Sequence, residues 1–166
     1  MKEIYTGTVV AVGRNVDTDQ IYPGPYLELT DPKEIGSHCL AGIDPAIAPA
    51  FPVGGIVVAG PNFGCGSSRE HAAIALINMG ASLVMADSFA RIFYRNGINL
   101  GLPLVVCKGI REHVKSGQTL EADVIRGRVK VLETGEALPC EPLSGQALLI
   151  LEAGGIKALM RGESRK

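Results

Sequence analysis

The sequence predicts one α/β domain, with a central sheet and β-rich flanks. Three observations carry that reading. Between Ile56 and Val106, short apolar runs alternate with segments of helical apolar spacing, which is how βαβ units read. On either side, Ile4 to Val12 and Gln118 to Leu138 are β-branched or alternating, as flanking strands are. The chain has 166 residues, enough to bury one real core and suited to a single domain spanning 1–166.

The elements follow in order. Ile4 to Val12 is the first strand, partly alternating and rich in β-branched residues. Gly13 to Leu27 is turn-rich, holding two aspartates, two prolines and two glycines, so no regular element is expected there. Asp31-Pro32-Lys33-Glu34 opens a helix, with Asp31 as N-cap and Pro32 in the first helical position. The loop Gly42 to Gly55 carries Pro45, Pro49 and Pro52 and leads into a buried strand, Ile56 to Ala59. Arg69 to Met79 is expected to be a helix whose inner face holds Ala72, Ala73, Ala75, Leu76 and Met79. Ser82 to Ala86 is a strand. Phe89 to Asn96 is a helix with Phe89, Ile92 and Phe93 on one side, and Pro103 to Val106 is another strand. Breaks at Gly127 and Gly135 cut the alternating stretch Gln118 to Leu138 into hairpins, and Gly154-Gly155 interrupts the closing helical stretch Ser144 to Met160.

Composition narrows the function. Hydrophobic residues make up 46% and charged residues 20%, too apolar for disorder and ordinary for a globular chain. The net charge of −1 gives no basic field for nucleic acid or an anionic membrane, so an acidic substrate needs local positive groups. Met1-Lys2-Glu3-Ile4-Tyr5 opens without an apolar run, and nothing approaches the roughly 18 apolar residues of a membrane span, so a cytoplasmic protein is expected. Cys39, Cys65, Cys107 and Cys140 lie far apart with no C-x-x-C pair, and His38, His71 and His113 are equally dispersed. Neither a disulfide framework nor a local metal site is expected within the chain.

The most informative stretch is Pro61-Asn62-Phe63-Gly64-Cys65-Gly66-Ser67-Ser68-Arg69-Glu70-His71, placed between an expected strand and an expected helix. Gly64 and Gly66 allow tight turning and close approach of the backbone to a ligand. A helix N-terminus favours an anion, and Arg69 adds a planar fork matched to a carboxylate. Two other readings share these residues. Ser67 or Ser68 fits a helix cap, with Glu70 near the capping-box position. Gly64-x-Gly66 with Asp87 about twenty residues on resembles part of a dinucleotide fingerprint, although Arg69 stands where the third glycine belongs. In the first loop, Asp17-Thr18-Asp19 fits an Asx turn and lacks the oxygens of a calcium loop; functionally, Asp19 suits orienting an arginine or a substrate hydroxyl.

Together these stretches carry a resemblance. Asn15 to Leu27, Asn62 to Ala72 and Ser88 to Asn96 resemble, in order and over essentially the whole chain, the small subunits of the isopropylmalate dehydratase and homoaconitase family and the swivelling domain of aconitase. The resemblance implies a swivelling β/β/α domain that closes over a large subunit, in a heterodimer or heterotetramer. It implies no cofactor in this chain and a [4Fe–4S] cluster in the partner, which agrees with the absence of cluster-binding cysteine spacing here. It also implies a hydro-lyase that interconverts small branched hydroxy di- or tricarboxylates by losing and regaining water. Ser67 becomes the base that removes the proton next to a carboxylate, Arg69 the group that binds substrate carboxylate, and Ser68, Gly66 and Asp19 further substrate-site residues.

That chemistry suits these residue types. Removing a proton beside a carboxylate builds negative charge that N–H groups and an arginine stabilise, while a Lewis acid in the partner assists the leaving hydroxyl. A serine serves as base only where its alkoxide is favoured, through Arg69, a helix end and exclusion of water. In the resembled family, substrate choice lies in the loop that matches Tyr26, Leu27, Glu28, Leu29 and Thr30. Arginine after the Tyr-Leu pair suits an extra carboxylate, and an apolar residue suits an isopropyl group. Glu28 facing a ligand repels a third carboxylate, which favours isopropylmalate, or dimethylmalate, over homoaconitate-type substrates; Glu28 facing solvent decides nothing. Arg91, Tyr94 and Arg95 suit a partner contact or a solvated basic face, and His71 suits a supporting place beside the turn. A non-enzymatic dinucleotide- or carboxylate-binding module is the alternative of another class.

Overall fold

A computed structural model describes residues 1–162. Strands β1 (Ile4–Ala11), β2 (Ile56–Ala59), β3 (Leu83–Ala86), β4 (Leu104–Val106), β5 (Thr119–Asp123), β6 (Arg128–Val131) and β7 (Ala137–Pro139) form one sheet in the order β4-β3-β2-β1-β5-β6-β7. The half from β4 to β1 is parallel, and the half from β1 to β7 is antiparallel. All residues of β2 and β3 are buried, which is why these strands read as unbroken apolar runs. In β5 and β6, Leu120, Ala122, Val129 and Val131 point inward while Glu121 and Lys130 face water, the alternation of a half-wet sheet. The sheet curls until its ends meet: the Glu141 amide donates to the Val106 carbonyl at 2.8 Å, and the Cys107 thiol lies 3.4 Å from the Pro139 carbonyl.

Helices α1 (Thr18–Ile21), α2 (Pro32–Ser37), α3 (His71–Met79), α4 (Arg91–Asn99), α5 (Ile110–His113), α6 (Gly145–Ala153) and α7 (Ile156–Met160) surround it, with a 3₁₀ turn at Gly24–Tyr26. Asp31 caps α2 through the Glu34 amide, with Pro32 in the first position, as expected. The left-handed Gly154 ends α6 where the glycine pair suggested a break. No helix among the described residues is long and apolar enough to cross a membrane.

Two helices start two residues later than their apolar spacing suggests, and in each case the preceding chain is bonded to another segment. Phe63 and Phe89 form a parallel bridge, and the Ala90 amide donates to the Phe63 carbonyl at 3.0 Å, so α4 opens only at Arg91. That shift turns Ile92 to solvent, 51% exposed, and leaves Phe93 as the residue of that helix's first turn that enters the core. Likewise α3 opens at His71, not Arg69, because the chain beside it is bound to the first loop.

Candidate active site

The parallel pairing of β1 with β2 does not stop where the strands do. Val12 donates to Val58, Gly60 to Gly13, Asn15 to Pro61, Gly64 to Val16 and Thr18 to Cys65, each between 2.8 and 3.0 Å. This ladder lays the Asp-Thr-Asp loop beside the glycine–serine turn, beyond the carboxyl ends of the parallel strands, where open α/β sheets present their ligand-binding loops. The first loop is more ordered than its turn-forming residues suggest. Asp17 accepts from the Gln20 amide at 2.8 Å, and the Gln20 side chain accepts from the Asp17 amide at 3.0 Å, a complete capping box on α1. Such a cap is worth about 1 kcal/mol. Asp17-x-x-Gln20 was the signal for it, obscured by the prolines that follow.

Both glycines of the turn are required. Gly64 has φ +86°, and a Cβ there would overlap the Phe93 ring; Gly66 has φ +102°, and a Cβ would come within 3.3 Å of the Thr18 hydroxyl oxygen. The backbone therefore passes close under Ser67. Its amide donates to Thr18 Oγ1 at 3.1 Å, and the Ser68 carbonyl accepts from Asn96 Nδ2 at 2.9 Å.

The hydroxyl of Ser67 is the centre of the cluster. Its oxygen accepts from the Arg69 amide at 3.2 Å and from Arg69 Nε at 3.0 Å. The outer edge of the same guanidinium reaches Asp19, with Nη2 to Oδ1 at 3.4 Å. Two donors, one of them cationic, thus point at one hydroxyl oxygen, and they would stabilise an alkoxide there far more than a neutral hydroxyl. Arg69 is 44% exposed and Asp19 71% exposed, so the corner is open to a ligand. An exposed pair like this is worth at most about 1 kcal/mol, which an incoming carboxylate can outcompete.

Ser67, Arg69, Asp19 and the backbone of Gly66 and Ser68 are therefore brought together, as expected. The helix end is not where it was expected: Glu70 takes the cap position without a side-chain bond, so neither serine caps α3 and the donors at Ser67 come from Arg69. Three residues outside any helix or strand part Gly66 from Glu70, so the glycines do not open directly onto a helix as a dinucleotide cradle requires.

The loop from Tyr26 to Thr30 is tied to the turn by rings. Tyr26 stacks on His38 with centroids 3.8 Å apart, the Tyr22 hydroxyl donates to the Tyr26 carbonyl, and Tyr22 lies parallel to His71 at 6.2 Å. Leu27 and Leu29 are half-buried, while Glu28 and Thr30 face solvent. His71 thus has a supporting place, with Nδ1 buried and unbonded. Arg91 and Arg95 are exposed, and Tyr94 packs against Phe89 at 5.9 Å. Sequence reasoning missed Thr18 and Asn96, whose polar atoms reach the turn from other elements.

Among the described residues no three His, Cys, Asp or Glu side chains gather in a metal-binding group. Burial pushes the Cys107 thiol up to about 12 and the Cys140 thiol up to about 11, so both rest as neutral thiols near pH 7.

The aconitase C-terminal domain model matches residues 53–108, which contain the turn and α4. The 3-isopropylmalate dehydratase small subunit 1 of Methanopyrus kandleri is 48% identical over 98% of this chain and 96% of its own. The chain belongs to the 3-isopropylmalate dehydratase small-subunit family. Another family member, the isopropylmalate/citramalate isomerase small subunit of Methanocaldococcus jannaschii, is also 48% identical, over 97% of this chain and 96% of its own. The crystal structure of the 3-isopropylmalate dehydratase leuD protein from Methanocaldococcus jannaschii superposes with a TM-score of 0.91 at 43% identity, covering 96% of this chain and 94% of that one. The fold is therefore that of the aconitase C-terminal domain and the dehydratase small subunits. Membership of this small-subunit family also means a hydro-lyase whose activity requires a large subunit.

Proposed function

We propose that this chain, with its large subunit, interconverts 2- and 3-isopropylmalate by removing and re-adding water. The observation that carries the proposal is the Ser67 oxygen, met by two Arg69 donors in an open corner that Asp19 shares. In dehydration, the Ser67 alkoxide takes the proton from the carbon next to a carboxylate, the hydroxyl on the neighbouring carbon leaves, and a double bond forms. In rehydration, Ser67 returns a proton to carbon while hydroxide adds. Arg69 holds a substrate carboxylate with the edge now facing Asp19, and Asp19 keeps that fork aimed when no substrate is present. Gly66 lets the substrate approach the backbone, and Ser68 extends the polar wall. The four cysteines do not fit a [4Fe–4S] cluster, so the cluster implied by the resemblance belongs with the partner and the residues here serve the proton and the carboxylate.

The loop Tyr26, Leu27, Glu28, Leu29 and Thr30 borders the substrate's branch, with the half-buried leucines as the apolar surface. A second reading has one specific support. The Methanocaldococcus jannaschii relative is named for isopropylmalate and citramalate together, so a shorter branch fits the same apolar wall.

The test uses the chain assembled with its large subunit. Ser67→Ala should lower kcat by about 10²–10⁴, the usual share of a positioned base, with assembly intact. Turnover kept near wild type discards Ser67 as base. A panel of isopropylmalate, citramalate, dimethylmalate, citrate and homocitrate, run on wild type and Glu28→Arg, then assigns the substrate. Isopropylmalate is expected first, and homocitrate is expected to gain in the variant.

A further inference from the structure

We infer that Thr18 and Asn96 are positioning residues that clamp the Ser67–Ser68 segment at its two ends and so aim the Ser67 hydroxyl; the inference rests on Ser67 being the base. Thr18 is 5% exposed, the one buried polar or charged residue among those described, and burial of a hydroxyl is costly unless it is used. Its oxygen receives the Ser67 amide at 3.1 Å. One residue on, Asn96 Nδ2 of α4 donates to the Ser68 carbonyl at 2.9 Å. The two bonds hold the amide of Ser67 and the carbonyl of Ser68 from separate elements, α1 and α4.

The grip is needed because, among the described residues, the stretch's other tie to a separate element is the exposed Arg69–Asp19 pair. Ser67, Ser68 and Arg69 lie outside any helix or strand, and Gly66 before them has the conformational freedom of a glycine at positive φ. Ser67 side-chain bonds go only to Arg69, two residues along the same free segment, so they move with it. Thr18 is itself anchored by its amide to the Cys65 carbonyl at 2.8 Å and by the capping box around α1. Asn96 is anchored by a helix whose Phe93 is buried in the core. Each thereby ties the turn to the rigid scaffold.

Steady-state kinetics and assembly of the two-subunit enzyme test this. Thr18→Val keeps the shape and removes the hydroxyl; kcat should fall about 10- to 100-fold, the scale of an ångström-level misplacement, with KM changed less than threefold. Thr18→Ser should restore kcat to within a few fold. Asn96→Asp matches the volume of asparagine but cannot donate to the Ser68 carbonyl, so it should lose as much kcat as Asn96→Ala. Wild-type kcat in Thr18→Val, failure of Thr18→Ser to rescue, or full activity in Asn96→Asp overturns the clamp. Rate loss matched by lost assembly or thermal stability also overturns it, by making both residues structural. Ser67→Ala is run in parallel: if it stays active, the base assignment fails, whereas an inactive Ser67→Ala beside a fully active Thr18→Val sinks the clamp alone.

Discussion

Arg69→Lys separates the two tasks assigned to this side chain. The guanidinium spans Ser67 and Asp19, with Nε 3.0 Å from the hydroxyl and Nη2 3.4 Å from the carboxylate that a substrate would replace. An ammonium keeps the charge but has no planar fork, so it meets one of these partners and not both. A hydrogen bond to a charged group contributes about 1.5–3 kcal/mol, and the retained charge recovers part of what is lost. A net loss of about 2–4 kcal/mol corresponds to about 30- to 1,000-fold in kcat/KM. The split between constants is the sharper prediction. The Nε contact strengthens as the alkoxide forms and so appears in kcat, while the carboxylate contact appears in KM. The Arg69 amide stays 3.2 Å from the hydroxyl, so the variant should remain more active than Ser67→Ala. The assay follows the conjugated double bond of the unsaturated intermediate by ultraviolet absorbance in the reconstituted two-subunit enzyme. An unchanged kcat with a raised KM would refute the idea that Arg69 activates Ser67. Because the Asp19 pair is exposed, the melting temperature should hardly move, and a large drop would show a structural residue instead.

Gly64→Ala should destabilise the chain by about 2–5 kcal/mol in urea unfolding, since φ is +86° and the new methyl meets the Phe93 ring; less than 1 kcal/mol would show that the turn re-forms easily. Cys107 and Cys140 should resist iodoacetamide at pH 8, because thiols pushed up to about 12 and about 11 are thiolate at about one part in a thousand or less. Labelling of both should rise about tenfold per pH unit while the fold holds, and rapid labelling at pH 8 would contradict the raised thiol values of buried Cys107 and half-buried Cys140.

The parts of this fold legible in the sequence are those set by local pattern. Ile56 to Ala59 is a strand as expected because four consecutive apolar residues between glycine-rich turns suit a doubly covered strand. The α2 start was legible because Asp31-Pro32 carries its own capping chemistry. What was not legible depends on pairing across the chain. The late starts of α3 and α4 come from bonds to the first loop and to Phe63, which no local window contains. The site divided in the same way. Gly64, Gly66, Ser67 and Arg69 announce themselves because they are neighbours with compatible chemistry, and Asp19 because two acids stand in one loop. Thr18 and Asn96 look like a turn residue and a surface helix residue until the fold brings them to the serine.

The exposure of the corner explains why such a site needs a second subunit. Two unit charges 3.4 Å apart attract by about 1.2 kcal/mol at the dielectric of water and by about 5 kcal/mol at an effective value of 20. The same Arg69 nitrogens that barely favour an alkoxide in the open chain therefore favour it about fourfold more strongly once water is displaced. Substrate carboxylate gains by the same factor at the fork that Asp19 now occupies. In the proposed mechanism, closure onto the large subunit would have two effects from one cause: it would make Ser67 more basic, and it would raise the affinity of Arg69 for a substrate carboxylate. On this reasoning the separate chain holds its donors in place but leaves them too well solvated to act, so base strength appears only where substrate and partner are already present.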